Sequence, residues 1–247
     1  MEVQKHPHHI THSKKWGEYL LEFFMIFLAV FLGVLAETER EVVVEGHKEK
    51  QFMASLARDL ELDTMGLSIG NRFRLNKIKA LDSMVSILAT QNSSIVPASV
   101  YLYAGRIYGN INFFQNSGTL DQLKNSGGLR LIANRHIVDS IESYDQQVRR
   151  MAKRDDFEVD AFLFNNRVSQ RVFDAKSVIQ VFGTKENLAF VPPVSATIRI
   201  HPEVLDEYLN NLMKYESLMK SNQQVFEFDR QKAANLLAMI KKEYAIN

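Results

Sequence analysis

The sequence contains no cysteine, and it is poor in glycine and proline. The absence of cysteine excludes disulfide bridges, thiolate zinc sites and thiol nucleophiles. With 11 glycines and 5 prolines among 247 residues, few signals interrupt regular structure, which favours long helices over a β fold with many turns. The sequence also lacks an excess of positive or negative charge, because its formal net charge is +1. The basic excess that is typical of nucleic-acid surfaces is therefore missing, and we expect no nucleic-acid partner.

One segment near the N-terminus is predicted to cross a membrane. Residues 19–36 begin Tyr-Leu-Leu-Glu and continue with an unbroken run of apolar or small residues over 23–36. A helix over 19–36 spans ~27 Å at ~1.5 Å per residue, close to the ~30 Å hydrocarbon thickness of a bilayer. Basic and aromatic residues precede the run, as at many membrane interfaces. The residues predicted to lie at this interface are Lys14, Lys15, Trp16, Tyr19 and Glu22.

Two other interpretations of this segment are a cleaved signal peptide and a buried core helix. Val34-Leu35-Ala36 satisfies the small-residue rule of a signal-peptide cleavage site, but the apolar run is long and helix-forming residues continue directly through the site. A buried core helix would not need so long an unbroken run. Glu22 either reaches the headgroup region or meets a partner helix or a cation, because carboxylates inside a span are costly and tend to be paired. An uncleaved transmembrane helix is the favoured interpretation.

The flanks of the span predict its orientation. Lys14 and Lys15 precede it directly, whereas Glu37, Glu39 and Glu41 follow it, which favours a cytoplasmic tail. We therefore expect a short cytoplasmic tail over 1–18, a transmembrane helix over 19–36 and an extracytoplasmic domain over 37–247. In a Gram-negative cell this domain lies in the periplasm, and the anchor lies in the inner membrane.

The domain is predicted to be all-α, an elongated bundle into which the membrane helix continues. Apolar residues at three- and four-residue steps predict helices over 37–90, 98–114, 134–173 and from 202 onward. The first is one helix, or two joined near 64–70. No turn signal follows the span, so we expect rigid coupling between membrane and domain. Residues 177–201 lack a helical period and predict a small extended or hairpin insertion.

Shorter elements are predicted from turn and capping residues. Thr119 is an N-cap candidate for a short helix that ends at Lys124, and Asn134 is the candidate for the long helix that follows. The polar stretch 153–156 is a candidate kink in that helix. Ser126-Gly127-Gly128 lacks the Lys-Ser/Thr of a phosphate-binding P-loop, so a helix C-cap followed by a turn is favoured.

Residues 117–134 read Ser-Gly-Thr-Leu-Asp-Gln-Leu-Lys-Asn-Ser-Gly-Gly-Leu-Arg-Leu-Ile-Ala-Asn. With Lys-Lys-Trp before the span and the pairs Ser55-Leu56 and Asp59-Leu60 after it, this segment resembles an uncharacterised family of single-pass membrane proteins found in Bacteroidetes. The resemblance covers most of the chain and implies an inner-membrane protein with a helical periplasmic domain. It carries over no catalytic residues.

Histidines and clustered carboxylates are candidate site residues. Four histidines lie in the N-terminal tail: His6, His8, His9 and His12. They could bind a divalent metal, but the segment is short and contains Pro7, so a solvated tail is favoured. His47, His136 and His201 stand alone and are interpreted as surface or capping residues. The run of Asp155, Asp156, Glu158 and Asp160 is interpreted as a solvated helix face rather than a general acid–base pair.

A basic group and an aromatic group are further candidates for binding residues. Arg72, Arg74, Lys77 and Lys79 are interpreted as the solvated side of a helix, since a binding role would require acidic partners or lipid headgroups. An aromatic group forms either part of the core or the lining of an apolar pocket for a hydrophobic ligand. Its members are Tyr101, Tyr103, Tyr108, Phe113 and Phe114.

These features predict a membrane-anchored helical scaffold or an accessory subunit of a cell-envelope complex. Its partners are the lipid bilayer and either further copies of the chain or another membrane protein. An alternative is an extracytoplasmic ligand-binding module that signals through a partner chain, because the short tail has no room for an output domain. No cofactor is expected, and no motif predicts an enzyme.

Overall fold

The computed structural model describes residues 15–109, 112–183, 193–199 and 201–246. Over these residues the chain is almost entirely helical, which confirms the all-α prediction. The helices are α1 (Trp16–Leu88), α2 (Ser99–Ile107), α3 (Gly118–Asn125), α4 (Arg135–Val172), α5 (Ala175–Phe182) and α6 (Pro202–Tyr244), with a 3-10 helix at Gly128–Leu131. Two short strands, β1 (Ile95–Pro97) and β2 (Ser195–Thr197), pair antiparallel.

The chain forms two compact units, Met1–Gln51 and Phe52–Asn247. Within the first, α1 is unbroken between residues 36 and 50, and side chains 15–47 are all exposed. An 18-residue apolar window of α1 has no buried residue, so it is a candidate membrane span by length and composition. The rings of Phe23, Phe27 and Phe31 form a row along this helix, with neighbouring centroids 6.4 and 6.0 Å apart.

The second unit buries two apolar clusters along its long helices. Along α1, the buried apolar residues within 53–67 belong to one cluster, and those within 78–88 belong to the other. Along α6 the order is reversed, with 204–219 in the cluster that contains 78–88 and 226–240 in the cluster that contains 53–67. The predicted apolar stripe of α6 is confirmed, because its members from Leu205 to Ile240 face inward at helical spacing.

The prediction for residues 177–201 was partly wrong. Residues 177–182 are helical in α5, where the Asp174 carboxylate accepts a hydrogen bond from the Ser177 amide at 3.1 Å and caps the helix. The prediction of an extended segment rested on the lack of a helical period, but burial of Ser177 and Val181, four residues apart, fits a helix face. The extended part is confirmed at β2, which pairs with β1 in the register Val96 to Ala196. Residues 184–192 lie outside the described residues.

The helix predicted over 98–114 is shorter than expected. It ends at Ile107, and Phe113 and Phe114 lie in the following loop. The loop is held by carboxylates of the long helices, since the Asn116 amide donates to Asp63 at 2.8 Å and the Phe113 amide to Asp155 at 3.3 Å. Side chains of α1 and α4 thus satisfy amides that a longer helix would have bonded to its own carbonyls.

Among the caps, Asn134 is confirmed, because its side chain accepts a hydrogen bond from the His136 amide at 3.1 Å. The prediction of Thr119 as an N-cap was wrong, because Ser117 is the N-cap of α3. The Thr119 amide instead donates to Asp59 at 3.2 Å.

The chain turns after α3 at Gly127, where φ is +69°. Glycine adopts this left-handed conformation without steric cost, as the predicted cap and turn require. α4 is continuous through 153–156.

Candidate functional site

Charged and polar side chains meet in the interior of the second unit. We name six of them the buried polar layer: Arg74 and Lys77 of α1, Asp155 and Glu158 of α4, and Tyr215 and Asn222 of α6. In α1 and α4 these residues fall between segments that belong to the two apolar clusters. Each charged member is at most 4% exposed. Buried charges are stable only when they are paired and hydrogen-bonded, so their partners determine what the layer can do.

Arg74 is the centre of the layer. Its Nη2 donates to Asp155 Oδ1 at 2.6 Å and its Nε donates to Glu158 Oε1 at 3.0 Å. The two carboxylates lie three residues apart on α4, so they share one helix face and both reach the same guanidinium. This geometry fits arginine, whose planar fork donates to two acceptors at once.

Side chains of α6 also contact the guanidinium and its carboxylate partners. The Arg74 Cζ lies 3.4 Å from the ring centroid of Phe226, a stacked cation–π contact. Asn222 Nδ2 donates to Glu158 Oε1 at 2.7 Å, and its Oδ1 accepts from Arg154 Nη1 at 3.0 Å. The layer therefore joins three helices that are distant in sequence.

Gly70 lies beside the guanidinium. A Cβ at this position would lie 3.4 Å from Arg74 Nη1, an ordinary van der Waals distance. The space beside the arginine therefore also fits a small side chain.

Lys77 occupies a different environment in the same layer. Its Nζ donates to the Tyr215 hydroxyl at 2.9 Å. It also lies 5.4–5.7 Å from the ring centroids of Phe73, Phe162 and Tyr215. Burial lowers the pKa of Lys77 to about 8, against the opposing effect of the Glu158 charge. Aromatic faces and one hydroxyl thus replace most of the water around this amine.

The pKa of one acidic member, Asp155, is shifted in the opposite direction. Burial raises the pKa of Asp155 to about 6, although the neighbouring Arg74 charge acts to lower it. Desolvation disfavours the charged form of an acid and of a base alike, so it moves these two pKa values toward neutrality from opposite sides. The ion pairs in the layer are consequently sensitive to any change that removes one partner.

A second polar contact holds the loop that follows α2. Asp63 of α1 accepts hydrogen bonds from the Asn116 amide and side chain at 2.8 Å each, and from the Tyr144 hydroxyl at 2.8 Å. Burial, followed by the Asp63 charge, raises the pKa of Tyr144. The phenol stays protonated at neutral pH and acts as a donor.

Charged side chains of the layer pair with one another inside the protein. General acid–base catalysis requires a group within hydrogen-bond reach of a substrate, whereas Arg74, Asp155 and Glu158 contact one another inside the helical core. Among the described residues, no group of three or more His, Asp or Glu side chains could hold a metal ion. The arrangement is suited to fixing the relative register of three helices.

The sequence interpretation of these charged residues was wrong at four positions. Arg74 and Lys77 were assigned to a solvated helix side, and Asp155 and Glu158 to a solvated face, yet all four are buried. Their neighbours Arg72, Lys79, Asp156 and Asp160 are exposed, as predicted. A signal was present in the spacing: Leu67, Arg74 and Leu81 recur every seven residues, and so do Val148, Asp155 and Phe162. Extending each apolar stripe through its charged gap places opposite charges inside.

The aromatic group is dispersed rather than gathered around one pocket. Tyr101 is buried and its hydroxyl accepts from the Asp174 amide at 3.0 Å, whereas Phe114 is 80% exposed. Phe113 packs on the cluster that contains 53–67, and Tyr103 on the other. The cavity beside Tyr108 measures about 10 Å³, and a water molecule needs at least ~10–15 Å³. This part of the core is filled.

The predicted interface residues lie at the start of α1, and Lys15, Trp16, Tyr19 and Glu22 are all exposed. Lys14 lies outside the described residues, as do the tail histidines His6, His8, His9 and His12. His47, His136 and His201 are exposed, in agreement with a surface role.

Comparisons with protein-family models, curated proteins and solved structures found no match to this chain. The Bacteroidetes resemblance therefore stays a prediction.

Proposed function

We propose that this chain is a single-pass membrane protein whose helical domain acts as a scaffold or accessory subunit of a cell-envelope complex, through self-association or protein partners. The observation that supports this most strongly is α1. Its N-terminal part is apolar and exposed, and the same helix supplies buried core residues to the second unit from Met53 onward. An apolar helix of this length needs a nonpolar environment, and a bilayer provides one.

The proposed placement is an inner membrane, with the tail in the cytoplasm and the domain in the periplasm. The basic pair Lys14 and Lys15 before the span supports this orientation, and acidic residues follow the span. Long domains translocate largely regardless of their charge, so the size of the domain is no obstacle.

The domain offers surface for protein partners. Leu62, Met65 and Ile69 form an exposed apolar strip on α1, with exposed fractions of 49%, 57% and 45%. Their spacing of three and four residues places them along one side of the helix. We propose this strip as the contact surface for a protein partner. The ligand-binding alternative has less support, because the core beside α2 is filled.

The test is affinity purification of the full chain from native membranes in a mild detergent, with crosslinking and mass measurement. We expect a discrete oligomer or a constant protein partner. Met65→Glu, which places a charge on the exposed strip, should weaken that association, whereas Gln146→Glu on the exposed surface of α4 should leave it unchanged. A monomer without any constant partner would contradict the proposal.

A further inference from the structure

Asp229 is a carboxylic acid placed inside the helical core of the second unit. It lies on the buried stripe of α6 between Phe226 and Ala233, both of which belong to an apolar cluster. The residue is 0% exposed. Neither carboxylate oxygen has a hydrogen-bond partner among the residues that the structure describes. A buried ionised carboxylate without hydrogen bonds is strongly disfavoured.

The charged groups around Asp229 only partly offset its burial. Arg150 and Arg154 of α4 and Lys232 of α6 act to lower its pKa, but burial prevails and raises it to about 6. Two of these cations have polar partners other than Asp229: Arg154 donates to Asn222 at 3.0 Å and Lys232 donates to Ser143 at 3.1 Å.

The acidic and phenolic groups nearby do not supply a compensating charge. The Asp229 charge contributes to the raised pKa of Tyr144 on α4. The Tyr144 hydroxyl already donates to Asp63 of α1 at 2.8 Å. The neutral acid is therefore the form of Asp229 that fits this position.

We propose that the packing of α6 against α4 is proton-linked through Asp229, so that acidification strengthens it and a rise in pH loosens it. The direction follows from which form the folded and unfolded chains prefer. Unfolding exposes the carboxyl to water, where it ionises readily, while the folded core favours the protonated acid. The contribution to stability is therefore fully present below the ordinary aspartate pKa and is lost as pH rises through about 6. This linkage does not depend on the proposed scaffold role.

The test measures thermal unfolding of the full chain in detergent by circular dichroism across a pH series. For wild type we expect the melting temperature to fall between about pH 5 and about pH 8. Asp229→Asn should weaken this dependence, leaving the part that the raised pKa of Asp155 contributes, and raise the melting temperature near the alkaline end by about 5 °C, since it removes the cost of burying an ionised group. Asp160→Asn, the same change at an exposed position of α4, should leave the dependence as in wild type.

Two further measurements do not depend on how well the core accommodates the new amide. A carbon-13 NMR titration of the Asp229 carboxyl in wild type should show it protonated at about pH 5 and ionised at about pH 8. Amide exchange over 226–233, corrected for its intrinsic pH dependence, should be slower in acid. Equal pH dependence in Asp229→Asn and wild type, or an Asp229 carboxyl already ionised at the acidic end, would overturn the proposal.

Discussion

Replacing Arg74 with methionine tests whether the buried polar layer holds the three long helices together. Methionine keeps the unbranched apolar stem but removes the guanidinium, so Asp155 and Glu158 lose donors at 2.6 and 3.0 Å. Removing one partner of a buried ion pair costs ~3–5 kcal/mol, because the remaining charge stays buried and unpaired. For a unit of this size the corresponding fall in melting temperature is roughly 10 °C.

The pH dependence of this loss distinguishes a charge effect from a packing effect. Without Arg74, Asp155 can avoid the cost by taking up a proton, because burial already raises its pKa to about 6 in the intact layer. The destabilisation should therefore be smaller at about pH 5 than at about pH 8. Far-UV circular dichroism of the full chain in detergent measures both values.

Two matched variants test whether the loss comes from the unpaired carboxylates. Arg72→Met removes an exposed arginine two residues away and should change the melting temperature little. Adding Asp155→Asn and Glu158→Gln to Arg74→Met removes the orphaned charges and should recover at least half of the loss near neutral pH. A loss in Arg74→Met no larger than in Arg72→Met, or one independent of pH, would refute the reasoning.

Two smaller contacts give further predictions. Tyr144→Phe removes the hydroxyl that donates to Asp63 at 2.8 Å and should cost about 2 kcal/mol, because the acceptor is charged and buried. Urea unfolding measures this loss, and an unchanged midpoint would show that water or Asn116 replaces the phenol. Asn134→Ala removes the acceptor for the His136 amide and should cost about 1 kcal/mol. Amide exchange in the first turn of α4 should accelerate in this variant, and unchanged exchange would contradict the capping role.

The helices could be predicted because their apolar residues recur at helical spacing. The stripe from Leu205 to Ile240 and the Asn134 cap are both present as expected. The segment 177–182 could not be assigned in this way, because a short β-branched run fits a strand or a helix face equally well. Its helical state depends on the Asp174 cap and on the packing of Val181 into the core.

The buried polar layer was missed for a different reason. A charged residue is normally exposed, and this general rule was applied separately to α1 and to α4. What stabilises Arg74 in the core is a pair of carboxylates more than eighty positions away in sequence. Periodicity within one helix indicates which face a residue occupies, but the matching charges on another helix become evident only when both faces are brought together.

The central claim, that α1 crosses a membrane and carries the helical domain to its far side, is tested most directly by single-cysteine labelling. The absence of native cysteine gives the experiment no background. Asp160→Cys places a thiol on an exposed position of the domain, and Gln4→Cys places one in the N-terminal tail. With a membrane-impermeant maleimide on intact spheroplasts, we predict labelling of the first variant and labelling of the second only after lysis. Labelling of the tail variant alone, or recovery of the protein in the soluble fraction, would contradict the account.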